Sequence, residues 1–173
     1  MIDAPLMLYR TTVPDQWLDY NGHMSEWCYL LLAGDAADVF FRYVGIDDAY
    51  RAAGHSLYTA ETHLHHLRES AAGDRLAVPL HLLDAGPKSL HIFHSMRDEA
   101  TGEPVATAEQ LLVHVDMASG RVVPMPDDLR RRVDAVREAH AALPVPAAVG
   151  HVMGVRRPSD SAGGDGSPSG GGG

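Results

Sequence analysis

Asp19-Tyr20-Asn21-Gly22-His23-Met24 gathers a carboxylate, an amide, a glycine and an imidazole just ahead of an apolar run from Trp27 to Val44. An acid placed before a helix N-terminus is a chemical arrangement. The first turn of a helix leaves backbone N–H groups unpaired, and these can polarise a carbonyl. The acid can then attack that carbonyl or act on a water beside it. Asp19 is the first candidate for this role, against the plainer reading that it caps a turn. Gly22, His23 and Met24 would present N–H groups toward the carbonyl, with Gly22 permitting close approach of a ligand. His23 could donate to the carbonyl or orient Asp19, and Asn21 could position water or hold the loop.

Glu61 is the second acid to weigh. It stands mid-strand among Tyr58, Thr59, Thr62 and His63, where partial burial would raise its pKa and suit it to act as a base. The alternative is a surface acid paired with His63 or Arg68. Glu109 carries the same two readings and ranks below it. Trp17, Tyr20 and Trp27 flank the acid loop, and aromatic faces attract quaternary ammonium groups, although packing is their commoner use. Arg68, Lys88 and Arg97 are the cations placed to meet phosphates, or else ordinary surface charges.

The 11 histidines invite a metal hypothesis. His63 and His65 share one strand face, with His66 beside them, but a metal site needs further ligands and an open position. His91 and His94 cannot share a regular strand face. Neither an H-E-x-x-H motif nor a cysteine pair occurs, so no metal is expected. Cys28 reads as a buried structural thiol. The absence of a G-x-S-x-G elbow leaves a serine hydrolase unsupported.

The elements that must position these residues follow in order. Leu6–Val13 reads as a strand and Pro14–Tyr20 as a loop. A helix follows with Ser25 as N-cap, Glu26 in its first turn and Gly45 as the residue beyond its end. It is apolar over more than one side, so other structure should wrap it. Four strands come next, at Leu57–Leu67, Arg75–Asp84, Ser89–Arg97 and Val105–Asp116. Ala72-Gly73-Asp74, Gly86-Pro87-Lys88 and Thr101-Gly102-Glu103-Pro104 separate them. Pro79 marks an edge, a bulge or a local break. Pro126–Leu143 is a polar helix with Pro126 near its first position. Four hairpin-linked strands make an antiparallel sheet, and the apolar helix needs that sheet to curl around it. The architecture expected is α+β.

The bulk properties narrow the function. The chain has 173 residues, 45% of them hydrophobic, enough for one domain with a core. That domain is expected over 1–145, with a flexible Gly/Ser/Pro-rich tail over 146–173, disordered from Gly163. A net charge of -9 argues against nucleic-acid binding. No apolar run reaches the roughly 20 residues a membrane span requires, and the N-terminus lacks signal-peptide character. The single cysteine suits a reducing compartment, so a soluble cytoplasmic protein is expected.

The motif set resembles the hotdog-fold acyl-CoA thioesterases of the 4-hydroxybenzoyl-CoA thioesterase type. The resemblance covers Leu6 to Val123 and rests on Asp19-x-x-Gly22-His23-Met24 before the long helix. Tyr58-Thr59-Ala60-Glu61-Thr62-His63, Leu67-Arg68-Glu69 with Gly73-Asp74, Leu90-His91-Ile92-Phe93-His94 and Ala108-Glu109-Gln110 complete it. Within that type the chain is similar to the betainyl-CoA thioesterases of bacterial carnitine breakdown, which occur alone or fused to carnitine dehydrogenase. No Gly-rich dinucleotide fingerprint is present, so a dehydrogenase would be a separate polypeptide. The resemblance implies a five-stranded sheet of order 1-3-4-5-2 around one long central helix, plus a C-terminal helix. It implies hydrolysis of an acyl-CoA, with Asp19 as nucleophile or base and coenzyme A as part of the substrate rather than a cofactor. It also implies a homodimer or homotetramer with active sites at the interface. Hotdog folds host dehydratases and hydratases as well, and a non-catalytic acyl-CoA binder is a further alternative.

Overall fold

The computed structural model describes residues 1–155, so the glycine-rich stretch expected over 163–173 lies outside the described residues. Strand β1 (Leu6–Thr12) leads through a one-turn 3-10 helix (Asp15–Trp17) to α1 (Glu26–Tyr43) and the short α2 (Asp48–Ala52). Strands β2 (His55–His66), β3 (Arg75–Ala85), β4 (Ser89–Asp98) and β5 (Pro104–Asp116) follow, then the two-residue β6 (Arg121–Val122) and α3 (Asp127–His140). All pairings are antiparallel, and the sheet runs β1-β3-β4-β5-β2 with β6 added beside β5. This is the α+β order expected.

Helix α1 lies against one face of the curled sheet. Cys28, Tyr29, Leu32, Ala33, Ala36, Ala37 and Phe40 recur at helical spacing and are buried. At one end they meet Leu76, Val78, Met96, Ala106 and Ala108, and at the other Leu80, Leu90, Ile92 and Leu112. The sheet curls around the helix as expected, while Trp27, Leu30, Leu31 and Tyr43 stay exposed on its other side. The sheet covers one face of the helix and leaves an apolar stripe free.

Local chemistry explains the remaining differences. Ser25 occupies the N-cap position of α1, yet its side chain makes no capping bond. Gly45 terminates the helix at φ 97, a conformation that glycine adopts without strain. Pro79 is buried in β3, an interior strand, at the point where the β1–β3 register shifts. It marks a bulge rather than an edge. Pro126 is the N-cap of α3 rather than its first helical residue.

Helix α3 buries Leu129, Val133 and Val136 beside Leu6 and Leu82. His140 Nδ1 accepts the Leu82 N–H at 2.9 Å and its Nε2–H donates to the Asp3 carbonyl at 3.0 Å. A strand N–H that β1 does not reach is thereby paired by a side chain. Beyond α3, Leu143 to Ala148 line a groove on the outer face of the sheet with Pro5, Pro79 and Phe93. The first residues of the tail expected from residue 146 thus border this groove, with Ala147 exposed.

Candidate active site

The acid loop closes on itself through Asp19. Asp19 Oδ1 accepts the Asn21 N–H at 2.7 Å and the His23 N–H at 3.4 Å. Oδ2 accepts only a long bond, 3.4 Å, from the Asn21 amide. The Gly22 N–H donates to the Asp19 carbonyl at 3.0 Å, and Gly22 sits at φ 79, where a larger residue would be strained. The Asn21 N–H, seconded by the His23 N–H, holds the Asp19 carboxyl below the usual carboxylate range. Asp19 is therefore an anion with one oxygen committed to the loop and the other nearly free.

That carboxylate opens on a cavity of about 750 Å³, which Asn21, His23 and Met24 also line. The expected donors need correction. The Gly22 and His23 N–H groups bond Asp19, and the Met24 N–H donates to the Ser70 carbonyl at 2.7 Å. The Ser25 N–H donates to the Trp17 carbonyl at 2.8 Å. These bonds tie the loop to its neighbours and engage the N–H groups of Asn21 to Ser25. Among the described residues, the N–H groups of Glu26 and Trp27, the first two of α1, have no partner. The free positive end of the helix dipole lies there.

The cavity also holds residues that the motif did not single out. His66 closes it from the end of β2, its ring edge-on to Tyr29 at 4.9 Å. Glu26, Glu69 and Asp98 join Asp19, so four carboxylates face the space against one cation, Arg68. Arg68 is exposed, with Glu103 4.0 Å away. The sequence signal for His66 was its place beside His63 and His65. Strand alternation turns His66 to the face opposite theirs.

The other candidates disperse. Trp17 is half-buried and packs into the core, while Tyr20 and Trp27 stand exposed. Lys88 lies in the β3–β4 turn, a whole strand β4 away from the β4–β5 turn that borders the Asp19 cavity. At about 3.3 Å per residue that separation is too long for a lysine to bridge within one chain. Arg97 Nη1 donates to the Gly102 carbonyl at 3.0 Å and lines the outer groove instead. Glu61 is exposed and does not line the Asp19 cavity. It borders a second cavity of about 490 Å³ on the outer face, with His63, Asp84, His91, Glu109 and His151. There His91 Nε2–H donates to Glu109 Oε1 at 2.7 Å. The sequence showed His63 and His65 as a pair, and the structure adds His151 to them.

Comparison with known proteins agrees with this fold. Residues 13–133 match the family model described as the thioesterase-like superfamily. A betainyl-CoA thioesterase of Pseudomonas aeruginosa is 42% identical over 151 residues, covering 87% of this chain and 95% of that protein. An L-carnitine dehydrogenase/betainyl-CoA thioesterase of Rhizobium meliloti is 43% identical over 154 residues. The match covers 89% of this chain but spans only 31% of that longer protein. Among solved structures, a Staphylococcus aureus protein in complex with CoA superposes with a TM-score of 0.83 at 22% identity, covering 90% of this chain and 99% of that one. A 1,4-dihydroxy-2-naphthoyl-CoA thioesterase from Synechocystis gives a TM-score of 0.67 at 15% identity, covering 74% and 95%. At these identities the structural likeness shows the hotdog fold.

Proposed function

This chain belongs to the thioesterase-like superfamily, and from that premise we propose that it hydrolyses an acyl-CoA thioester, with betainyl-CoA as substrate and betaine and coenzyme A as products. The observation that carries the reading is Asp19, an anion with a nearly free Oδ2, lining a cavity together with Glu26, whose N–H, like that of Trp27 next to it, is unpaired. The carbonyl oxygen of the thioester would accept from those two donors as charge develops on it. A general base works best with a pKa near the operating pH, whereas the Asp19 carboxyl is held low. Attack by Oδ2 on the carbonyl carbon fits better, since it needs only ionisation. The C–S bond breaks, the coenzyme A thiolate leaves and takes a proton, and water then cleaves the acyl–Asp19 anhydride to the free acid.

The choice of acyl group rests on the relatives and on charge. Glu26, Glu69 and Asp98 add negative charge and Tyr29 an aromatic surface to the cavity, a setting that attracts a quaternary ammonium. Hydrolysis would then fall in carnitine breakdown, in the cytoplasm. No helix among the described residues is long and apolar enough to cross a membrane. The active unit would be a homodimer. Strand β2 is paired on one side only, with β5, and α1 carries an exposed apolar stripe.

Asp19→Asn tests the assignment. With a thiol-trapping dye and a panel of betainyl, aromatic and short aliphatic CoA esters, the variant is expected to lose at least about a hundredfold in kcat, the range of one essential catalytic group. Its fold and assembly should be unchanged. Near-normal turnover by Asp19→Asn would sink the mechanism, and strong turnover of aromatic esters with none of betainyl-CoA would reject the substrate.

A further inference from the structure

We propose that His63, His65 and His151 form a binding site for a divalent transition-metal ion of the zinc class, which fastens the segment after α3 to strand β2. The proposal does not depend on hydrolysis at Asp19, because the site lies on the other face of the sheet.

Three observations carry it. The first is convergence. His63 and His65 are two residues apart on one face of β2, and His151 comes from the far end of the described chain, yet their ring nitrogens all lie within 4.8 Å of one another. His65 Nε2 and His151 Nδ1 are 3.1 Å apart. Two ligands of a tetrahedral zinc ion with bonds of about 2.0–2.1 Å are separated by roughly 3.3 Å, so this pair already has the spacing of a coordination edge. The remaining separations close by side-chain rotation, His151 being exposed.

The second observation is charge. The adjoining cavity of about 490 Å³ is lined by Glu61, Asp84 and Glu109 and by no lysine or arginine. Three neutral imidazoles carry no charge to offset a dication, and these carboxylates supply it.

The third is support for the mobile ligand. Glu109 Oε2 accepts the Gly150 N–H at 2.8 Å while its Oε1 accepts from His91. Both oxygens are engaged, so Glu109 positions the residue next to His151 rather than binding the ion. Docking of Leu143 to Ala148 in the outer groove directs the chain to the same place. Three histidines leave a fourth position open toward the cavity, for water or for an anionic ligand.

The test uses the full chain, freed of metal with a chelator and titrated with Zn²⁺ alone by calorimetry near pH 7.5. One saturable ion per chain is expected. His63→Ala, His65→Ala and His151→Ala should each weaken it at least about tenfold, and Glu109→Gln by about 10–100-fold. Co²⁺ in place of Zn²⁺ should give the visible absorption of a four-coordinate site, lost in His151→Ala. Wild-type chain that shows no saturable binding overturns the proposal. So does binding of unchanged stoichiometry and affinity in His151→Ala, which lies outside helix and strand and so decides the matter even if a β2 variant fails to fold.

Discussion

At the scale of single residues, the plain and the chemical readings of Asp19 prove to be one arrangement. The carboxylate does cap a turn, through the Asn21 and His23 N–H groups, and that capping is what keeps it ionised and orients its second oxygen outward. The expected outcome is a pH profile without an acid limb from this group. Because Asp19 is held below the ordinary carboxylate value of 3.8, kcat/KM should stay flat from about pH 7 to about pH 5 when assayed by pH jump, before unfolding intervenes. A limb with a midpoint in that interval would show that a group other than Asp19 governs the rate. The oxyanion donors were misplaced by sequence reasoning for a physical reason. Residue order put Gly22, His23 and Met24 beside the helix, but a tight loop satisfies its own N–H groups first. With Asn21 to Ser25 all bonded, the next free donors come with the first residues of the helix.

At the scale of elements, helix α1 has two faces with different duties, and substitution separates them. Phe40 is fully buried against the sheet, so Phe40→Ala should cost about 3–5 kcal/mol in denaturant unfolding. Leu31 lies on the exposed stripe, so Leu31→Glu should leave the monomer fold intact by circular dichroism and yield a monomer by light scattering. Dimer retained in Leu31→Glu would place the interface elsewhere. The sequence showed that α1 is apolar nearly all round, but it could not divide the faces, because an apolar residue reads the same whether it packs on a strand or stays exposed. Strand patterning was legible for the opposite reason. Leu90, Ile92, His94 and Met96 alternate with residues of the outer face, and a period of two admits one placement against the helix. For the C-terminal segment, composition alone gave no placement. The docking of Leu143 to Ala148 and the contact of His151 depend on a groove and an imidazole pair supplied by distant strands.

At the scale of the whole molecule, the buried histidines link folding to pH. His94 is fully buried, donates Nε2–H to Gln110 Oε1 at 3.2 Å and has no partner for Nδ1. Burial pushes its pKa from 6.5 down to about 4. His140 and His114 are lowered too, chiefly by burial, and the bond that His140 accepts requires a neutral ring. His114 Nδ1–H donates to the Val123 carbonyl while its Nε2 accepts from the Tyr50 hydroxyl, and His140 Nδ1 accepts the Leu82 N–H. His81 is lowered by burial and by the His140 ring. For each, the unfolded chain binds a proton at a higher pH than the folded one does. Unfolding is therefore favoured as pH falls through the interval between the two values. Stability should be fully present above about pH 6.5 and decline toward pH 4, with His94 alone contributing a loss of roughly 3 kcal/mol. The lowered carboxylates Asp19, Asp98, Asp116 and Asp128 act in a different window, since their stabilisation fades only below 3.8. Denaturant unfolding at about pH 7.5 and about pH 5 measures the effect. His94→Leu should lower stability at both values, because Gln110 loses its donor, yet shrink the difference between them. An unchanged difference in that variant would assign the acid sensitivity to the remaining histidines.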